Sequence, residues 1–284
     1  MAGSSSGVQE RILLANPVLE SWGNAKTLRN NNSSRFGKFI EILLSQTGEI
    51  VGASNTTYLL EKSRVVFQEQ GERSYHVFYQ LLFGASDTLI AELGLEYFRS
   101  DPMVVHYMNQ SGCLQIDGID DVTDFQDMEK ALHVVGFSEE NIGMLHQVIA
   151  GILHLGNVSF VENPVDSEGC VLVKCPQDYV GQASRLLGVD VSTFQHALLF
   201  KSVRSGSKRK SVTFSPYSPR LAAENRDALS KEIYNRCFDF IVATINTSIN
   251  ANPDLLARMK TNMIGVLDIF GFEIFKKVSV LCDY

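Results

Sequence analysis

Arg29 to Lys38 reads RNNNSSRFGK, in which three asparagines, two serines and an arginine, Asn30 to Arg35, stand in a row between an amphipathic segment and an apolar run. Amide, hydroxyl and guanidinium groups all donate hydrogen bonds, and backbone amides in a tight polar loop add more. Phosphate oxygens, which only accept, are the natural counterpart. A serine hydroxyl can also ligate a magnesium ion. Near the other end, NMIGVLDIFGFEIF runs apolar up to an acid, Asp268, and then places Gly271 and Glu273. An aspartate at a strand end can hold the water shell of a magnesium ion. A glycine beyond it lets the backbone approach a γ-phosphate with no Cβ in the way. An arginine and a glutamate on two such loops can pair across the site and report whether phosphate is present. Singly, the first stretch reads equally well as a solvated turn and the second as a strand ending in a β-bulge. Together they describe half of a nucleotide triphosphatase site.

The elements that must position these loops are a mixture of helices and strands. VQERILLANPVLESWGNAK reads as a helix with Ile12, Leu13, Val18, Leu19 and Trp22 on one face and a bend or restart near Asn16, before Pro17. KFIEILLS and GEIVGASNTTYLL read as a hairpin joined at QTG. From about Ser63 to Asn250 the pattern is mostly helical. ERSYHVFYQLLFG stops at Gly84. TDFQDMEKALHVVG opens on a Thr123 cap and closes on Gly136. SEENIGMLHQVIAGILHLG opens on Ser138 and closes near Gly156. DYVGQASRLLG and STFQHALLF read as shorter helices, and NVSFVENPVDSEGCVLVK has short strand character. The longest pattern starts at Ser218 and Pro219, with Leu221, Leu229, Ile233, Phe240, Val242, Ile245 and Ile249 on its expected buried side. The run before Asp268 has the signature of a strand buried on both faces, as at the centre of an α/β sheet.

The chain has 284 residues, 45% of them hydrophobic, enough for a sizeable core, and a net charge of −7 that argues against general nucleic-acid binding. No apolar run reaches the length of a spanning helix, and the start lacks a signal-peptide core, so a cytoplasmic protein without membrane insertion is expected. Five scattered cysteines and six scattered histidines match no metal-ligand spacing; His146 and His154 read as core or surface residues. KSVRSGSKRKS is the exception to the acidic balance, with five basic residues from Lys201 to Lys210 and no acid.

Several segments resemble the myosin motor domain in the family's order: LANPVLESWGNAKTLRNNNSSRFGKFIEI, YLLEKSRVV, ERSYHVFYQLL, LHLGNVSF, RDALSKEIYNRCFDFIVATIN and IGVLDIFGFEIF. The resemblance covers residues 8 to about 277. Kinesins share the NxxSSR logic but lack the FGFE ending. The implied fold is α/β: a partial P-loop NTPase-type motor core, with strands of a mixed central sheet, and a large, mostly helical upper subdomain. The corresponding divisions are 1–60 for switch I and the core-sheet hairpin, 61–255 for the helical subdomain, 256–277 for the switch II strand and 278–284 for a divergent end. By resemblance, Asn30 reaches the nucleotide phosphates and Ser33 lies near the γ-phosphate and the attacking water. Ser34 ligates magnesium, and Asp268 holds it through water. Arg35 pairs with Glu273, and the Gly271 amide donates to the γ-phosphate. The implied cofactors are ATP and Mg2+, the implied partner is the actin filament, and the implied place is the cytoplasmic actin cytoskeleton. Ser211 lies sixteen residues before Asp227, where the family carries Thr, Ser, Glu or Asp, which implies a regulatory phosphorylation site within a surface loop that contacts actin.

The chain departs from the family in two places. No GxxxxGK[ST] occurs in it, and after FEIFKK it reads VSVLCDY in place of the usual entry into a relay helix. Met1 therefore reads as an internal methionine of a longer motor, with the P-loop and the light-chain-binding neck missing. This chain alone is expected to lack ATPase activity. The alternative is a non-enzymatic fragment that binds actin or motor partners; a divergent nucleotide-binding switch is a third reading.

Overall fold

A computed structural model describes residues 5–165, 169–204, 212–250 and 261–269. In chain order the elements are α1 (Ser5–Gly23), β1 (Asn24–Ala25), β2 (Ser33–Ser34), β3 (Gly37–Leu44), β4 (Ile50–Tyr58), α2 (His76–Gly84), α3 (Asp87–Leu93), α4 (Glu96–Ser100) and α5 (His106–Asn109). They continue as α6 (Asp121–Val134), α7 (Glu139–Gly156), β5 (Phe160–Glu162), β6 (Cys170–Leu172), α8 (Tyr179–Leu186), α9 (Val191–Leu199), β7 (Phe200–Arg204), β8 (Val212–Pro216), α10 (Pro219–Ile249) and β9 (Asn262–Asp268). A 3-10 turn at Lys62–Val65 follows β4.

The largest sheet has the order β4-β3-β9, and both of its pairings are antiparallel. The hairpin of β3 and β4 forms where the alternating apolar pattern places it. β9 forms as well, but it is not buried on both faces. All seven of its residues are exposed, Leu267 at 59%. The reason is its place at the sheet edge: β3 covers one side, and no described element covers the other side or either face. The opposite edge is managed differently. Asn246 of α10 accepts from the Asn55 amide at 2.7 Å and donates to the Asn55 carbonyl at 2.8 Å, and Asn250 donates to the Ala53 carbonyl at 2.6 Å. These side chains satisfy backbone groups that β4 would otherwise leave unpaired.

α10 organises the core. Its buried stripe is Ala222, Arg226, Ser230, Tyr234, Cys237, Phe238, Ile241, Val242, Ile245 and Ile249, at the three- and four-residue spacing of one helix face. Leu221 and Phe240, expected on the buried side, are 48% and 42% exposed. The polar residues Arg226 and Ser230 take the inside because they find partners there. Arg226 donates to the carbonyls of Gly156 and Val158, and Ser230 to the Arg226 carbonyl. Tyr234 stacks on Tyr75 and Phe78, with ring centroids 4.9 and 5.4 Å away, and donates its hydroxyl to the Trp22 carbonyl at 2.7 Å. That contact ties α10 to α1 and α2.

Helix ends follow local chemistry with one correction. Ser138 caps α7 and Ser218 caps α10, as their positions predict. α6 begins three residues earlier than a Thr123 cap requires, because Asp120 accepts from the Val122 amide and also from the Thr123 hydroxyl. Thr123 then lies inside the first turn, where its hydroxyl donates to the capping carboxylate. α1 runs as one helix through Pro17 with no restart, and Leu13, expected on its apolar face, is 68% exposed. His146 and His154 are buried, and burial drives both down to about 4. No helix among the described residues is long and apolar enough to cross a membrane.

Candidate functional site

The polar stretch is a loop folded back on itself. Asn24 and Ala25, immediately after α1, pair antiparallel with Ser34 and Ser33. The Thr27 amide donates to the Asn30 carbonyl at 2.8 Å, and the Thr27 hydroxyl oxygen accepts from the Asn30 amide at 3.1 Å, so the turn between the two pairs closes on one threonine. The close approach needs Gly23, since a Cβ there would collide with the Phe36 ring. The Arg35 amide donates to the Gly23 carbonyl at 2.8 Å and completes the fold-back.

This fold sorts the donors by depth. Asn30, Asn31 and Asn32 are exposed, Ser33 and Ser34 half-buried, and Arg35 buried at 7% exposure. Asn32 is held from three sides: it donates to Glu20 at 3.0 Å, accepts from Asn24 at 3.0 Å and contacts His76 at 3.1 Å. The Ser33 hydroxyl accepts from Arg35 Nη1 at 3.2 Å. The Ser34 hydroxyl donates to the Phe36 carbonyl at 2.8 Å. With its hydrogen committed there, the Ser34 oxygen keeps its lone pairs for a metal ion, which fits the role of a magnesium ligand.

Asp268 arrives through the sheet. It ends β9 opposite Lys38, the second residue of β3, while Ser34 lies just before β3 begins. The loop and the acid thus share one end of the sheet, as in sites built at strand ends. Gly271 and Glu273 lie outside the described residues, as does Ser211.

Arg35 has a partner that the sequence pattern missed. Its Nε donates to Glu61 Oε2 at 2.6 Å, and Glu61 also accepts from Arg64 Nε at 2.7 Å. Arg64 reaches on to Glu72 at 2.9 Å. Burial opposes the charge on Arg64, but the hydrogen bond and attraction of Glu61 and the bond to Glu72 outweigh it, and its pKa is raised. The Glu61 backbone is fixed as well: its amide donates to the Arg35 carbonyl at 3.0 Å, and the Tyr75 hydroxyl donates to its carbonyl at 2.8 Å. The signal was present as a charged triplet, Glu61–Lys62 and Arg64, just past a strand. Nothing in local spacing shows that such a triplet faces a loop 26 residues away.

The basic segment begins on β7, which carries Lys201 and Arg204, and runs on toward β8; the two strands form an antiparallel hairpin from Phe200↔Pro216 to Arg204↔Val212. Asp227, the reference point for Ser211, is held by Arg226 at 2.7 Å and by the Tyr107 hydroxyl at 2.6 Å.

Comparisons with known proteins give the family. A family model described as "Myosin head (motor domain)" matches residues 2–281. The chain is 42% identical to "Myosin ID heavy chain" of Dictyostelium discoideum over 276 residues, which is 96% of this chain and 24% of that protein. It is 44% identical to "Myosin heavy chain IB" of Acanthamoeba castellanii over 280 residues, 98% of this chain and 22% of that protein. It is 39% identical to "Unconventional myosin-Ic" of Danio rerio over 273 residues, 96% of this chain and 26% of that protein. The chain spans about a quarter of the length of these relatives. A match across nearly all of its own residues, with identity of this order, means that the chain belongs to the myosin head (motor domain) family.

Proposed function

We propose that this chain is part of an ATP-driven actin-based motor, in which Arg29–Lys38 is the first switch loop and Asp268 to Glu273 the second. The observation that carries the reading is the shared sheet end: the loop of donors and the acid of β9 meet there through the β3 pairing. Asn30 faces solvent, where its amide can meet phosphate oxygens. Ser34 supplies a hydroxyl oxygen to magnesium, and Asp268 orders the ion's water shell. Ser33 sits beside Arg35 and orients the attacking water. Arg35 pairs with Glu273 when the site closes, and the Gly271 amide donates to the γ-phosphate. Bound MgATP supplies the scissile phosphoanhydride and the charge that neutralises its oxygens. The protein's part is positioning and electrostatics, with no covalent intermediate.

The same proposal covers the hairpin of β7 and β8. The basic loop meets the acidic actin filament, and phosphorylated Ser211 orders that loop by pairing with Arg209 or Lys210. It places the protein at the cytoplasmic actin cytoskeleton, with light chains bound through a neck outside this chain. It also leaves the 284 residues alone without ATP turnover, because their sequence lacks the lysine-bearing glycine loop.

Ser34→Ala in a motor containing these residues tests the reading. Steady-state phosphate release in magnesium falls by about 100-fold or more if the hydroxyl holds the ion. Turnover equal to that of the unaltered motor would remove Ser34 from the site.

A further inference from the structure

The pairing of β3 with β4 ends at Gly37↔Tyr58. Carried on in the same register, it would set Leu60 opposite Arg35. Leu59 prevents this. Its φ of 52° lies in the left-handed region, which a leucine seldom adopts. The side chain is 85% exposed, which leaves it little packing to offset the strain. One residue in that conformation acts as a bulge and moves the register on by one. The Glu61 amide then takes the place of the Leu60 amide and donates to the Arg35 carbonyl at 3.0 Å. A shift of one residue also changes which side chain lies against Arg35, and the strained turn thereby replaces a leucine with a carboxylate.

Glu61 is held in that place from several sides. Tyr75 donates its hydroxyl to the Glu61 carbonyl at 2.8 Å, and its ring stacks on Tyr234 of α10. Arg64 donates to both carboxylate oxygens, from Nε to Oε2 at 2.7 Å and from Nη2 to Oε1 at 3.4 Å. Arg64 is fixed in turn, since its Nη1 donates to Glu72 at 2.9 Å and to the Arg73 carbonyl at 3.1 Å. From this frame Glu61 Oε2 accepts from Arg35 Nε at 2.6 Å, while the Ser33 hydroxyl accepts from Arg35 Nη1 at 3.2 Å. A guanidinium is planar, so anchors on two of its nitrogens fix both where it lies and how it is turned. Arg35 and Arg64 are both buried, and the one carboxylate neutralises both.

We propose that Glu61 is a positioning residue for Arg35: it grips the guanidinium by Nε and so turns the Nη1 end toward Ser33. Given the reading of Arg29–Lys38 as the first switch loop, on which this role rests, Glu61 speeds ATP cleavage without touching the nucleotide, and it acts only through Arg35.

A double-mutant cycle in a motor containing these residues tests this, read by single-turnover ATP cleavage, which separates the chemical step from product release. Glu61→Gln is expected to slow cleavage about tenfold, the loss of one charge-assisted hydrogen bond. It is expected to leave the dissociation constant for MgATP unchanged within about twofold, since binding is not what Glu61 supports. Arg35→Ala is expected to slow cleavage more, and Glu61→Gln added to Arg35→Ala to slow it no further. A carboxylate with a merely structural role would slow both backgrounds by the same factor, and that result overturns the proposal. Unaltered cleavage in Glu61→Gln overturns it too; if Arg35→Ala is still slow, the reading of the switch loop stands without it. Unaltered cleavage in Arg35→Ala removes the arginine from the site, and the positioning role falls with that reading. A further readout needs no Glu61 variant to fold. In the 284-residue chain labelled with nitrogen-15 at arginine, the Arg35 Nε proton, assigned by its loss in Arg35→Ala, is expected to exchange with water at least about tenfold more slowly than in free arginine. Exchange at the free rate overturns the proposal, because the grip on Nε is then absent.

Discussion

Two arginines from one short stretch of chain anchor this structure in opposite ways. Arg73 is fully buried, lies 3.5 Å over the Tyr79 ring and meets one carboxylate, Asp121, at 2.7 Å. Its Nε and Nη1 have no hydrogen-bond partner among the described residues. Arg64 is nearly as deep, but it shares Glu61 with Arg35 and holds Glu72 besides, and Glu61 is about a third exposed. The first pair is isolated in a low-dielectric interior. The second is one link of a chain that reaches solvent. Desolvation dominates the first so strongly that Asp121 is raised in spite of its arginine. A deep single pair fixes packing between α6 and the segment before α2. A shared carboxylate can redistribute between partners, which suits a residue beside the loop proposed as a switch.

The contrast breaks most clearly at Arg73. Arg73→Ala leaves the Asp121 carboxylate buried and unpaired and removes the cation from the Tyr79 ring. A loss of about 3–5 kcal/mol is expected, measured as a lower urea midpoint. A loss below about 1 kcal/mol, the scale of a surface pair, would show that the pair is not as isolated as its burial implies.

Burial of a histidine gives the next effect, with one carboxylate near it: Glu129 Oε1 lies 3.5 Å from His146 Nε2. His146 is 6% exposed and lowered to about 4 by burial. Its folded pKa lies below the unfolded one, so the unfolded chain takes the proton first. The stability this histidine contributes is complete above about pH 6.5 and is lost as pH falls toward 4. Between pH 7 and pH 5 the loss is about 2 kcal/mol. His146→Gln is expected to remove that share of the acid sensitivity. Equal slopes for the two proteins in urea unfolding at both pH values would assign the sensitivity to other groups.

Glu61→Gln should cost less, about 1–2 kcal/mol, because Arg64 keeps Glu72 and Glu61 stands partly in water. Lys62→Ala, beside it, removes only an exposed pair with Glu232 at 3.5 Å and is expected to change stability by no more than about 0.5 kcal/mol. If Glu61→Gln matches Arg73→Ala in a parallel denaturation series, the shared carboxylate is as rigid a support as the isolated pair, and the distinction between them fails.

Much of the architecture was legible because it rests on local rules. Ser138 and Ser218 announce their helices since an N-cap hydroxyl satisfies amides within three residues of itself. The β3–β4 hairpin follows from alternation and a short polar turn. The donors of Arg29–Lys38 were legible as donors, and their order of depth from Asn30 to Arg35 accords with a loop that presents amides and buries its arginine. Local rules failed wherever a distant group set the outcome. The α10 stripe turned toward Arg226 and Ser230 because carbonyls of residues 156 and 158 wait there. β9 is apolar enough for the middle of a sheet yet lies at its edge, since strand composition reports what a strand requires but not which neighbours are present.

The sequence by itself determined the chemistry of the site: which side chains donate, which acid ends a strand, and that the two segments belong to one family of motors. These depend on residue type and short spacing, which a chain carries whether or not it is folded. Only the tertiary structure decided who partners whom. Glu61 meets Arg35, and Asp268 reaches the end of β3 near Ser34. Such contacts span tens to hundreds of residues, and they are chosen by burial: once a charge or an amide leaves water, only a partner brought by the fold can repay its lost hydration.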